Sequence, residues 1–224
     1  SCTIQSVFKK GREWDQDFES PATGDQRFEN TVHAAVPEAA DLVGPSGRVH
    51  VIGVLEGKII TDHRVLTHDD PGVARLTVLE RYGKGTPPAN GYVMGFGERF
   101  EGAIASSVGH DSHNLIVVGK KTEDMRSALA ALIEVGGGFC VVKNGKVLAR
   151  LPLPFGGLMS TQSPQALQQA IGELKKASRS IGCELNEPFL QLAFLSLPVI
   201  PALKLTDQGL VDVNQFKIIG VSAA

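Results

Sequence analysis

Between Asn114 and Gly119 the chain reads Leu115-Ile116-Val117-Val118, an unbroken apolar run rich in β-branched side chains. Successive side chains of a strand point to opposite faces, so a run without polar alternation fits only where both faces are covered. It predicts a central strand, and it obliges the rest of the chain to supply sheet neighbours and two covering layers.

The preceding residues supply neighbours. Val49-His50-Val51-Ile52-Gly53-Val54 and residues 58–66, 74–82, 91–96 and 103–107 are β-rich, each bounded by Gly, Pro or Asp. Their short connections favour antiparallel pairing.

The covering layers follow. Thr122 reads as an N-cap, with Glu123 and Asp124 in the first turn. Met125, Leu129, Leu132 and Ile133 form one stripe before Gly136-Gly137-Gly138 stops the helix. Residues 139–142 and 146–151 flank Asn144-Gly145, the signature of a hairpin with a type I′ turn. Ser163-Pro164 opens a second helix, with Leu167, Ile171, Leu174 and Ile181 as its stripe and Gly182 as its end. Residues 188–197 are apolar on nearly every side, so a helix there is expected to be buried all round, ended by Pro198 and Pro201. A last strand is expected around residues 216–221.

At the other end, residues 4–14 read as a short hairpin turning at Lys10-Gly11. Residues 15–47 read as a connector, with turn formers at Pro21, Gly24, Pro37 and Pro45. The expectation is an α+β fold, mostly antiparallel sheet with flanking helices, over residues 48–224. A hairpin and connector at 1–47 precede it.

With 224 residues and 42% hydrophobic side chains, the chain can bury a sizeable core. The balance of 22 basic against 24 acidic residues creates no field that attracts a polyanion, so nucleic acid is not an expected partner. Cys2, Cys140 and Cys183 are odd in number and far apart, which suits reduced thiols in the cytoplasm. No stretch approaches the roughly 18 apolar residues of a membrane span, and no targeting segment is visible, so no membrane partner is expected.

Several chemistries are excluded by spacing. No H-x-E precedes a C-x-x-C, and neither H-E-x-x-H, a Walker loop nor a G-x-S-x-G elbow occurs. No H-x-H pair is present, and the histidines all fall between His33 and His113.

The densest polar cluster, Ser106-Ser107-Val108-Gly109-His110-Asp111-Ser112-His113-Asn114, directly precedes the apolar strand. Loops at the ends of buried strands are where sites are assembled. In extended backbone His110 and His113 would face opposite ways, so sharing a ligand requires a bend, which Gly109 and Asp111-Ser112 make plausible. Three readings stand open. The cluster is a turn in which Asp111 and Ser112 bond to backbone amides, a loop that reaches a ligand or a neighbouring active site, or a private two-histidine metal site. Elsewhere, Leu151-Pro152-Leu153-Pro154-Phe155-Gly156-Gly157 is a rigid apolar loop that favours packing, with an interface as the alternative.

Taken together, five ordered motifs closely resemble the carboxy-terminal domain of bacterial adenine deaminases of the amidohydrolase type. They are Gly109-His110-Asp111-Ser112-His113-Asn114 with the strand after it, Leu132-Ile133-Glu134-Val135-Gly136-Gly137-Gly138, residues 151–154, residues 157–160, and residues 197–207. The resemblance runs from about Arg48 to Phe216. Val7-Phe8-Lys9-Lys10-Gly11-Arg12 is similar to the strand turn that follows the barrel in that family, and Asn30-Thr31-Val32 also fits.

The resemblance implies an upstream (β/α) barrel whose divalent metal (Mn, Fe or Zn) activates water for attack on C6 of adenine, and no cofactor held by the residues in hand. It implies no turnover from this polypeptide alone. The expected partners are that barrel, adenine and further copies of the enzyme, and His110, Asp111, Ser112, His113 and Asn114 are the expected loop at the purine site. The chain departs from the family at Gly109, where Ala is frequent, at Tyr82, where His is common, and at Phe155-Gly156, where Ile-Ala is usual.

Overall fold

The computed structural model describes residues 5–14 and 29–223. Residues 15–28, with Pro21 and Gly24 of the expected connector, lie outside the described residues, as do Cys2 and the first residue of the expected hairpin. That hairpin is formed by β1 (Phe8–Lys9) and β2 (Arg12–Glu13), turning at Lys10-Gly11 as expected.

The main sheet contains β3 (Arg48–Val54), β4 (Thr61–Thr67), β5 (Val73–Leu79), β6 (Ala89–Met94), β7 (Ala103–Ser106), β8 (Leu115–Gly119), β9 (Gly138–Lys143) and β10 (Lys146–Pro152). Their spatial order is β10-β9-β7-β8-β5-β6-β3-β4. Neighbours are antiparallel except β3 and β6, which run parallel. The apolar run is β8, in the middle of the sheet and buried along its whole length.

Alternation along β8 divides the core. Leu115 and Val117 join the cluster formed with Met125, Ala128, Leu129 and Leu132 of α1 (Thr122–Glu134). Ile116 and Val118 face the opposite side, with Leu174 of α2 (Pro164–Ser180) and Phe189 and Leu192 of α3 (Pro188–Phe194). Leu203, Leu205 and Leu210 reach that second cluster from a small antiparallel sheet of β11 (Leu203–Thr206), β12 (Gly209–Asp212) and β13 (Lys217–Ile219). Each fully buried aliphatic side chain contributes about 1.5–3 kcal/mol relative to exposure, so a strand feeding both clusters anchors the architecture.

Several local expectations need correction. The N-cap of α1 is Lys121, with no side-chain cap, and Thr122 is already helical. The start of α1 is tied down by Asp124, a buried carboxylate that accepts from Gly145 N at 2.7 Å. Residues 188–197 are not a helix buried all round. α3 stops at Phe194, before Pro198 can restrict its neighbour, and Leu190 is 51% exposed because the helix lies on the sheet with one flank in solvent. In α2 the stripe is interrupted at the exposed Ile171.

Other signals hold. Ser163 Oγ accepts from Ala166 N at 3.2 Å and caps α2. Asn144 (φ 51°) and Gly145 (φ 72°) are both left-handed, as a type I′ turn between β9 and β10 requires.

The segment before β3 packs on the body where it is described. Val32, Ala34 and Leu42 are buried in the α1 cluster, and a 3-10 turn, Ala39–Leu42, lies against that helix.

Candidate functional site

The 107–114 loop joins β7 to β8, whose antiparallel pairing of Ser106 with Ile116 obliges the chain to reverse direction. His113 N donates to Gly109 O at 2.8 Å and closes the bend, with His113 itself left-handed (φ 52°). The bend that sharing a ligand would require is therefore present. It sets the His110 and His113 rings edge to face at 6.4 Å between centroids and lays His110 against Phe194 at 5.3 Å.

The hydrogen bonds that fix this loop come largely from β5 and the residues after it. Arg81 is buried, and its guanidinium donates to His113 O at 2.9 Å, to Gly156 O at 2.7 Å and to Thr31 Oγ1 at 2.8 Å. Arg81 N donates to Oδ1 of the buried Asn114 at 3.2 Å, and Tyr82 Oη donates to Ser112 O at 2.7 Å. One residue pair therefore gathers the amino-terminal segment, the histidine loop and the loop after β10. The sequence singled out Tyr82 only as a departure and did not single out Arg81. Its partners lie 32, 50 and 75 residues away, so no local pattern marks it.

Ser107 adds a second tie, with Oγ donating to Gly157 O at 2.6 Å and accepting from Gly138 N at 2.7 Å. The loop after β10 is thus packed onto the site.

The five expected site residues divide into three kinds. Asn114 is buried and structural in its bonding, whereas Asp111 and Ser112 are exposed at the tip. His110 and His113 are half-buried, and Gly109 N donates to His113 Nδ1 at 3.4 Å. Burial lowers the His113 pKa first; Arg81 and His110 push it further down, and Asp111 opposes them. A neutral imidazole is the favoured state there.

Asp111 and Ser112 edge a cleft of about 430 Å³ that also takes in Ser196, Pro198, Val199, Thr206 and Ile218. The cleft is open and mainly apolar, with polar side chains from the loop and from Thr206, Asp207 and Gln208 opposite it. Among the described residues no three His, Cys, Asp or Glu side chains stand close enough to hold a metal ion. The family resemblance assigns its divalent metal to the upstream barrel and not to these residues.

Among the described residues the thiols offer no nucleophile. Burial pushes the Cys140 thiol up to about 12 and Cys183 up to about 11. No described helix is long and apolar enough to cross a membrane.

Comparison with known proteins places this architecture. A profile described as the adenine deaminase C-terminal domain matches residues 54–217. The chain is 48% identical over 200 residues to an adenine deaminase of Shewanella halifaxensis, covering 86% of this chain and 34% of that protein. It is 46% identical over 201 residues to adenine deaminase 1 of Rhizobium johnstonii, covering 85% and 34%. With an adenine deaminase of Shigella sonnei it shares 44% identity over 228 aligned residues, covering 96% and 39%. The chain thus spans little more than a third of the length of the curated relatives it matches. From the central strand, the histidine loop and these matches together, the chain belongs to the adenine deaminase C-terminal domain family.

Proposed function

We propose that the domain serves adenine deamination, the hydrolysis of adenine to hypoxanthine and ammonia, as an accessory to a catalytic barrel of the same enzyme. In this reading the 109–114 loop forms part of the wall that shapes or closes the purine site. The observation that carries it is the manner in which the loop is held: Arg81, Tyr82 and Asn114 fix its backbone while the Asp111 and Ser112 side chains stay exposed beside the cleft. Such use of several long-range hydrogen bonds to hold an exposed polar tip is expected of a contact loop and is not needed for a plain reversal between strands.

The cleft volume of about 430 Å³ lies in the range of small-molecule sites. Pro198, Val199 and Ile218 offer an apolar wall for a flat ring, and the Asp111 carboxylate and Ser112 hydroxyl offer acceptors for a purine's N–H groups. The buried free thiols suit a reducing, cytoplasmic setting.

The test is hydrogen exchange on the full-length deaminase with and without hypoxanthine. The reading expects ligand-dependent protection of the amides at 110–113. Protection elsewhere with none in this loop would contradict it.

A second reading is favoured by exposed apolar side chains, two of them, Val199 and Ile218, lining the cleft. Val199 and Ile218 are each 61% exposed, and Phe216 is 78% exposed. A patch of this kind suits an assembly role between enzyme copies. Sedimentation of the chain at rising concentration separates the readings, since a strict monomer argues against assembly.

A further inference from the structure

We infer that His50 and His63 form a two-imidazole binding site for a first-row divalent transition-metal cation that accepts two adjacent nitrogens, Cu²⁺ or Ni²⁺. The inference stands apart from the deaminase reading. It rests on the two outer strands of the main sheet.

β3 and β4 pair antiparallel with His50 opposite Val65 and Ile52 opposite His63, so the two histidines are diagonal neighbours on one face. His50 Nδ1 and His63 Nε2 are 2.8 Å apart, with ring centroids at 4.8 Å and planes inclined by 62°. At that separation one nitrogen donates to the other, which requires at least one neutral ring.

The affinity of nitrogen sites for divalent first-row ions rises through Ni²⁺ to Cu²⁺ and falls again at Zn²⁺, and Cu²⁺ and Ni²⁺ accept two ligands in adjacent square-planar or tetragonal positions, so Zn²⁺ is expected to bind more weakly.

Proton bookkeeping is simple. The proton shared between the rings moves to the far nitrogen of its own imidazole, and two neutral lone pairs face the ion without net proton release. His63 is exposed, so its ring can turn to converge on the metal. The buried Asp212 acts on the His50 charge from the small sheet, with its oxygens already accepting from Gln215 N and Nε2. It supplies negative potential, and water completes the coordination.

The experiment titrates Cu²⁺ and Zn²⁺ separately into the 224-residue chain at about pH 7.5, above the ordinary imidazole pKa. A Cys2→Ser background leaves only buried thiols, and binding is followed by equilibrium dialysis and by electron paramagnetic resonance of the copper. The expected result is one Cu²⁺ site with two imidazole nitrogens. His50→Ala and His63→Ala should each weaken it by roughly tenfold or more, and His110→Ala with His113→Ala should leave it unchanged. Circular dichroism checks that each variant is folded, and two separate single variants guard against one that is not. Equal copper affinity in the parent, His50→Ala and His63→Ala, or loss of the site in the His110/His113 variant, would overturn the inference.

Discussion

Arg81 donates through its guanidinium to the backbone carbonyl of His113 at 2.9 Å, and this bond couples the segment after β5 to the histidine loop. Arg81 is 2% exposed, and its other acceptors are neutral groups of Thr31 and Gly156. Burying a cation among carbonyls is worthwhile only when each donor is used, because hydrogen bonds to charged groups contribute about 1.5–3 kcal/mol each while an unmade one costs as much.

Arg81→Met should therefore destabilise the chain by roughly 2–4 kcal/mol, since the part-buried His113 and Gly156 carbonyls and the Thr31 hydroxyl lose their donor together. Arg81→Lys should recover little, because an ammonium cannot span three diverging acceptors. Urea unfolding gives the magnitude. Hydrogen exchange should show the amides at 109–113 opening ahead of the sheet, and uniform opening would contradict the clamp.

Lys204 is fully buried in β11, donates to Ile59 O at 3.0 Å, and is pushed down to about 8 by burial. Its folded pKa lies below the unfolded 10.5, so between these values the unfolded chain binds more protons and stability rises with pH. Below about 8 both states are protonated and the full penalty, up to about 3 kcal/mol, applies. Lys204→Met should remove that rise and, after the loss of the Ile59 bond, stabilise the chain near neutral pH by about 1–2 kcal/mol. Unfolding midpoints from pH 7 to 10.5 check both effects.

His50 and His113 carry the opposite end of the pH profile. Burial holds both below 6.5, so as pH falls through 6.5 the unfolded chain takes up protons first and stability declines until the folded pKa values are passed. The decline should be smaller in His50→Gln and in His113→Gln. A profile unchanged by either substitution would contradict the stated cause.

Two left-handed glycines separate backbone strain from steric exclusion. A Cβ on Gly145 (φ 72°) meets nothing within 4 Å, so Gly145→Ala should cost only the left-handed penalty, about 1–2 kcal/mol. A Cβ on Gly138 (φ 135°) would sit 2.0 Å from Leu151 O, between paired strands that cannot move apart. Gly138→Ala should cost about 3 kcal/mol or more. Thermal unfolding of the two variants side by side tests the difference.

What was legible in the sequence was what local chemistry dictates. The apolar run of β8, the Asn144-Gly145 turn and the Ser163-Pro164 helix start each depend on neighbours within a few residues. The β11–β12 hairpin escaped because Leu203, Lys204 and Leu205 are all buried, so no alternation of apolar and polar positions marks a strand. Thr122 misled because a good capping residue was available while Asp124 secured the helix start by a long-range bond to Gly145. At the site, the loop could be located from its polar density. Its clamp could not, because Arg81 acts across segments that meet only in the folded chain.

The central claim is that the loop gathered by Arg81 and Tyr82 contributes to the purine site of an adenine deaminase. Its most direct test is the kcat/KM for adenine of the full-length enzyme carrying His110→Ala together with His113→Ala, compared with a Lys146→Ala control at the exposed far end of the β9–β10 hairpin. The account predicts a loss of roughly tenfold or more for the loop variant, equivalent to about 1.4 kcal/mol, and parent activity in the control. Unchanged kcat and KM in a folded loop variant would contradict it.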